Sequence, residues 1–384
     1  MSDSVLFERV AVPGGQVLGL ATLNRPQALN GLDLEMCRLL LTQLQTWAQD
    51  ESVALVILRG AGDKAFCAGG DLHALYAGMQ ANQGGQPWDN QYAREFFDIE
   101  YRLDYLIHTY PKPVLCWGDG IVMGGGVGLF NGASHRVVTD STRFAMPEIA
   151  IGLFPDVGGT WMLARLPAGV GHFLALSGAQ INAGDCLFLG LADAFLPYRA
   201  FPALLDALTQ QDWQGKREQL DRRLYAVIDQ VRGSAHAALG PLERHYAQLR
   251  ALCAGRDFER ITQGLLAWHD SSDPWLARAS QTFAKGSPGS ARLSHALLER
   301  VRHLSLADVF RLEYIVSLQC GVQGDFQEGI RALLIDKDKQ PRWNPDSLEK
   351  ADAQWVTRFF QPSWPAGMDH PLADLGRSMG EAAV

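Results

Sequence analysis

Over roughly its first two hundred residues the chain alternates short, β-branched runs with amphipathic helical segments, and this alternation admits few architectures. A sheet covered by helices is the expected outcome. In residues 5–23 two runs rich in Val and Leu flank Pro13-Gly14-Gly15, whose backbone preferences favour a reversal, so a hairpin is predicted. Met36, Leu40, Leu44 and Trp47 then recur at four- and three-residue intervals, which places one apolar face on a helix ending near Asp50. The run 53–58, closed by Gly60, reads as a buried strand. Strand, helix and strand in this order form a βαβ unit. The theme returns with a helical segment at 92–108, strands at 113–117 and 136–140, and a glycine cluster at 124–126 between them. From Ala200 to about Leu334 the periodicity is almost wholly helical, most clearly over 217–231 and 304–318. The pattern predicts an α/β core over residues 1–199, a helical region over 200–345 that covers it, and a tail over 346–384, poorly ordered beyond Trp364.

Composition narrows the functional classes. At 384 residues and 47% hydrophobic, the chain has ample material for a large core. Lys plus Arg is 34 and Asp plus Glu is 42, a formal charge of −8 that argues against sequence-independent binding to nucleic acid or to anionic membranes. An anionic ligand needs a local site. The six cysteines form no C-x-x-C pair and have no histidine at zinc spacing, so packed thiols are expected, with no metal site and no redox motif. The first residues carry no secretory pattern and no run reaches the ~18 apolar residues of a spanning helix, which leads to the expectation of a cytoplasmic protein.

Three segments are candidates for chemistry. In Lys64-Ala65-Phe66-Cys67-Ala68-Gly69-Gly70-Asp71-Leu72, two glycines and an aspartate deliver the chain into a helix with Asp71 as expected N-cap. The N–H of Gly70 is then placed to donate to an anion, since the first amides of a helix lack intrahelical acceptors. In Met123-Gly124-Gly125-Gly126-Val127-Gly128-Leu129, three consecutive glycines imply positive φ or a group pressed against bare backbone. The dinucleotide fingerprint is excluded because Leu129 stands where its last glycine belongs. Taken together, two amides from separate turns are the donors of an oxyanion hole, the device that stabilises charge developing on a carbonyl oxygen. The third segment, residues 144–159, has Glu148 and Asp156 as its sole acids, each directly after a proline and each among apolar neighbours. Burial raises a carboxyl pKa toward the range useful in acyl transfer. Capping of local turns is the alternative for both. A helical glutamate such as Glu100 is usually solvated, and lone cations such as Arg25 and Lys64 at turns usually bind nothing specific. Neither H-E-x-x-H nor G-x-S-x-G occurs, so zincin and α/β-hydrolase mechanisms lack support.

Leu23-Asn24-Arg25-Pro26, the segment Ala65 to Asp71, the glycine cluster and the Pro147-Glu148 loop, in this order, resemble the crotonase (enoyl-CoA hydratase/isomerase) superfamily. Phe96-Phe97-Asp98-Ile99-Glu100-Tyr101, the stretch 144–159 and the late segment 325–338 are similar to its branch acting on 3-hydroxyisobutyryl-CoA-type thioesters in valine degradation. The resemblance covers residues 6 to 343. It implies a spiral of ββα turns with C-terminal helices, so that the strands need not form one doubly wound sheet. It further implies an acyl-CoA substrate whose thioester carbonyl lies between the amides of Gly70 and Gly125. On this likeness Glu148 is the catalytic carboxylate, as nucleophile or as base for water, and Asp156 binds the 3-hydroxyl and assists proton transfer. Glu100 lines the acyl pocket, while Ala68, Gly69, Lys64 and Arg25 fall at substrate-binding positions, Lys64 near the coenzyme A phosphates. Hydratases of the superfamily have a second glutamate where this chain has Gly128, and glycine where it has Asp156. That disfavours addition of water across a double bond, leaving a hydratase/isomerase or a non-catalytic CoA-binding protein as the alternatives. No cofactor is implied beyond the coenzyme A of the substrate, and self-association into a homo-oligomer is compatible with the superfamily.

Overall fold

The computed structural model describes residues 3–377. Its strands are β1 (Val5–Ala11), β2 (Val17–Leu23), β3 (Val53–Gly60), β4 (Ala65–Cys67), β5 (Val114–Gly118), β6 (Ile121–Met123), β7 (His135–Val138), β8 (Arg143–Ala145) and β9 (Ala194–Phe195). They form two sheets, of order β1-β2-β3-β5-β7-β9 and β4-β6-β8. Three successive pairs, β3/β4, β5/β6 and β7/β8, contribute one strand to each sheet, so the single doubly wound sheet that simple βαβ alternation suggests gives way to the spiral. The chain divides into two compact units, one of residues 1–70, 106–144 and 180–245, the other of 71–105, 145–179 and 246–384. This division interleaves segments of the chain instead of cutting it at 199 and 345.

The first unit is built on the large sheet. Its hairpin pairs Val5 with Leu23 in antiparallel register, and the predicted βαβ step follows, since β2 and β3 are parallel and helix Leu34–Gln49 connects them. Every side chain from Val53 to Leu58 is buried, as expected of a parallel strand covered on both faces. Helices Phe201–Thr209 and Arg217–Arg232 lay Leu204, Leu208, Leu224 and Ile228 against Leu18, Leu55 and Ile57 of the sheet. Trp47 approaches the opposite side so closely that a Cβ at Gly19 would lie 2.8 Å from its ring.

The second unit is helical. Helices Leu306–Gln323, Pro288–Arg300 and Pro274–Lys285 form much of it, with strongly apolar inward faces such as Leu293, Leu297 and Leu298. Among the described residues no strand follows Phe195. The expectation of a poorly ordered tail is corrected up to residue 377. Phe359 and Leu372 are fully buried, and Arg102 donates to Pro371 O at 2.7 Å and pairs with Asp374 at 2.6 Å. Scattered apolar side chains anchor this segment without any periodicity to announce it. Residues 378–384, also part of that expectation, lie outside the described residues. All six cysteines are buried thiols.

Candidate active site

In the first unit the two glycine turns meet. β4 ends in Ala68-Gly69-Gly70, held in place as Ala68 N–H donates to Leu29 O (3.0 Å) and Leu32 N–H donates to Gly69 O (2.8 Å). Gly69 has φ +115°, and a Cβ built on it would lie 3.5 Å from Met123 O and 3.7 Å from Gly125 N. Gly124 sits at φ 51°, ψ −128°, a conformation open essentially to glycine alone, and it starts helix Gly125–Gly132. At Gly126 a Cβ would stand 2.3 Å from Cys67 O, so the helix start is pressed against the end of β4. Gly125 is the first residue of that helix, where an amide has no intrahelical acceptor and carries the positive end of the helix dipole. The two glycine turns are therefore adjacent. Asp71 is the predicted N-cap, its Oδ1 accepting from the N–H of His73 (3.2 Å) and Ala74 (3.3 Å).

The cations of this unit are differently employed. Arg25 donates to Gly31 O at 2.9 Å and pairs with Asp33 at 3.0 Å, so it braces the turn between residues 25 and 33. Lys64 is exposed, and its carbonyl accepts the Ile121 N–H at 3.0 Å.

In the second unit the acids gather. Glu148 opens a short 3-10 turn, Glu148–Ile151, and is 3% exposed. Its Oε2 has no hydrogen-bond partner among the described residues, which a capping side chain would have. Burial first, and then the charge of Asp156, push its carboxyl well above the ordinary range. Asp156 is 5% exposed and raised to about 6, burial outweighing the hydrogen bond from Tyr101 that pulls the other way. Glu100, on helix Gln91–His108, is 2% exposed, not solvated as a helical glutamate usually is, and is raised by burial and by Asp156.

Three further groups escaped the sequence reading. One turn along from Glu100, Asp104 is fully buried with both carboxyl oxygens lacking partners among the described residues, and is raised by burial and by Glu100. Glu313, on helix Leu306–Gln323, is also fully buried and is raised to about 8 by desolvation. Tyr101 donates to Asp156 Oδ2 at 2.8 Å and shares a 2.7 Å hydrogen bond with Ser317. A signal for Asp104 existed in the helical pattern: Phe96, Phe97, Glu100, Asp104 and Ile107 fall on one stripe, so both acids occupy positions where the period demands apolar residues.

The turn that carries Glu148 is interlocked with the late segment of the chain. A Cβ at Gly152 would lie 2.3 Å from the Asp325 carbonyl, and one at Gly329 would lie 2.3 Å from that of Ile151. Asp325 is itself fixed by Ser287 Oγ (2.7 Å) and by the Asn344 N–H (2.7 Å). The first unit thus brings two glycine turns together, and the second gathers buried carboxyls whose pKa values burial raises. Among the described residues no cluster of three or more His, Cys, Asp or Glu has metal-binding geometry.

A family model described as enoyl-CoA hydratase/isomerase matches residues 18–360. The chain is 39% identical to 3-hydroxyisobutyryl-CoA hydrolase, mitochondrial, of Gallus gallus, over 90% of this chain and 86% of that one. It is 34% identical to the Homo sapiens protein of the same name, over 94% and 89%. Among solved structures, a carnitinyl-CoA dehydratase from Mycobacterium thermoresistibile superimposes with TM-score 0.81 at 35% identity, covering 95% of this chain and 98% of the other. An enoyl-CoA hydratase from Rhodobacter sphaeroides 2.4.1 gives 0.80 at 34%, covering 94% and 98%. With two sheets wound as a spiral, a helical C-terminal region and a family match over most of its length, the chain belongs to the enoyl-CoA hydratase/isomerase family, the crotonase superfamily.

Proposed function

We propose that the protein hydrolyses a short 3-hydroxyacyl-CoA thioester, of which 3-hydroxyisobutyryl-CoA is the type, releasing the hydroxy acid and coenzyme A. The observation that carries the reading is Glu148, a buried carboxyl with an unpartnered oxygen and a raised pKa beside a second buried acid, Asp156. Relatives named as hydrolases of this thioester support the same substrate. A hydratase needs a second glutamate, and Gly128 stands at that position.

In the proposed reaction the amides of Gly70 and Gly125 receive the thioester oxygen as it gains negative charge, a contribution of about 3 to 4 kcal/mol for each donor of this kind. Glu148 acts in one of two ways. As nucleophile, its carboxylate oxygen bonds to the acyl carbon, the C–S bond breaks, and water then cleaves the resulting anhydride. As base, it takes a proton from water while the water oxygen bonds to the acyl carbon and the thiolate leaves. Asp156 binds the 3-hydroxyl and assists proton transfer, and Glu100 lines the acyl pocket. Ala68 and Gly69 contact substrate, Lys64 meets the coenzyme A phosphates, and no metal or redox group enters the scheme. A step of valine breakdown is the corresponding role. Cytoplasmic residence is part of the proposal, although the relatives are named as mitochondrial.

Thiol release from a panel of acyl-CoAs tests the reading. The 3-hydroxyacyl thioesters are expected to release free thiol rapidly. Loss of double-bond absorbance from an enoyl-CoA without thiol release would overturn the hydrolase reading. Single turnover in heavy-oxygen water tests the nucleophilic role of Glu148: label in its carboxyl marks the anhydride route with water attacking the Glu148 carbonyl, whereas the base route places label only in the hydroxy acid.

A further inference from the structure

Asp156 lies on a turn that resists its own geometry. Val157 adopts φ +54° and Gly158 φ +76°, and a β-branched residue in the left-handed region is a strained outlier. Such a conformation persists only where surrounding contacts over-determine it. Here the contacts come from helix Leu306–Gln323. Glu313 Oε2 accepts the Gly158 N–H at 2.8 Å, and its Oε1 accepts the Thr160 N–H at 3.2 Å and the Thr160 hydroxyl. These amides begin helix Gly159–Ala164, whose N-cap is a glycine with no side chain to offer, so a glutamate from another helix does the capping. One turn further along, Ser317 holds the Tyr101 hydroxyl, and that hydroxyl donates to Oδ2 of Asp156. Glu313 thus holds the turn that follows Asp156, and Ser317 reaches the Asp156 carboxylate through Tyr101.

We propose that Tyr101, Ser317 and Glu313 are positioning residues that fix Asp156 for the substrate's 3-hydroxyl. Tyr101 occupies one carboxylate oxygen so that the other is presented to the ligand, and Glu313 pins the strained turn. The inference rests on the reading that Asp156 meets this hydroxyl. It supplies a source of selectivity for hydroxylated over plain acyl chains, since a site built to bond a hydroxyl loses far more than a methyl contact when that bond is mis-set. Titration of Asp156 takes place among Glu100, Asp104 and Tyr101 from one helix, Glu313 and Cys320 from the other, and Glu148 from the 3-10 turn. In this acidic surrounding the Tyr101 hydroxyl is a donor that favours the charged form.

The test compares hydrolysis of 3-hydroxyisobutyryl-CoA and isobutyryl-CoA, by thiol release across the pH range, in Tyr101→Phe, Ser317→Ala, Glu313→Gln and Asp156→Asn. Tyr101→Phe is expected to lower the hydroxy-to-plain ratio of kcat/KM about tenfold and to move the acid limb to higher pH. Ser317→Ala acts in the same direction with a smaller change. Glu313→Gln puts an amide donor against an N–H, so it lowers the same ratio, and circular dichroism checks its fold. If Asp156→Asn leaves the ratio unchanged, the assignment of Asp156 to the hydroxyl falls and this inference falls with it. If Asp156→Asn lowers the ratio while Tyr101→Phe alters neither ratio nor acid limb, the inference alone is overturned.

Discussion

The glycine turns of the first unit and the acid cluster of the second solve opposite problems. The turns work by omission: a Cβ at Gly126 would strike the Cys67 carbonyl, and Gly69 and Gly124 take positive φ, so two chain segments can close together. The cluster works by accumulation, with Glu100, Asp104, Glu148, Asp156 and Glu313 all buried. Backbone amides keep their polarity at any pH. Buried carboxyls carry chemistry that depends on pH and costs stability whenever they ionise.

Substitutions at the two regions break this comparison in different ways. The largest effect is expected for Glu148→Gln, which lowers turnover by about 10²- to 10⁴-fold while thermal stability holds or rises, because a buried carboxyl becomes neutral. A drop in melting temperature with activity retained would make Glu148 a structural residue. Gly124→Ala comes next. A side chain at φ 51°, ψ −128° costs about 1–3 kcal/mol and displaces the Gly125 amide, so kcat falls up to about 10²-fold together with a lower melting temperature. Unchanged kcat in that variant would remove Gly125 from the oxyanion role.

The third prediction concerns stability and pH. Glu313 is raised from 4.5 to about 8, so between those values the folded chain keeps a proton that the unfolded chain has lost. Stability contributed by this group is present at low pH and falls as pH rises through that window. His172 and His295, in the same unit, are lowered from 6.5 to about 4 by desolvation, so their contribution runs the other way and falls as pH drops through that window. Melting temperature is therefore expected to peak near about pH 6 and decline on both sides. Asp104→Asn is expected to stabilise by about 1–3 kcal/mol at alkaline pH and hardly at all in mild acid. An equal effect at both pH values would refute ionisation of the cluster. The smallest effects belong to the cations. Lys64→Ala is expected to raise KM by only a few fold with kcat unchanged. Arg25→Ala is expected to lower the melting temperature and leave KM alone, because its guanidinium is engaged with Gly31 and Asp33.

Sequence revealed the omission more readily than the accumulation. Adjacent glycines between strand-like runs mark a backbone requirement locally, which is why both glycine turns stood out in the sequence, with Gly125 singled out through the family resemblance. Glu148 and Asp156 were visible because they are the lone acids in an apolar loop. Glu313 and Asp104 were hidden by the ordinary expectation that helical acids face water, and only for Asp104 did a place on the apolar stripe argue otherwise. Tyr101 lay within a family-like segment, yet its bond to Asp156 joins residues 55 apart in sequence, beyond the reach of any local pattern. The short strands β4, β6 and β8 were likewise too brief for periodicity to register. Order in the tail rests on isolated anchors such as Leu372.

The mutual fit of Gly152 with Asp325 and of Gly329 with Ile151 has a consequence for biosynthesis. Glu148 leaves the ribosome long before residue 329 is made, and until then its turn lacks the surface that shapes it. A nascent or truncated chain that stops short of the late segment accordingly lacks part of the surface against which this turn packs.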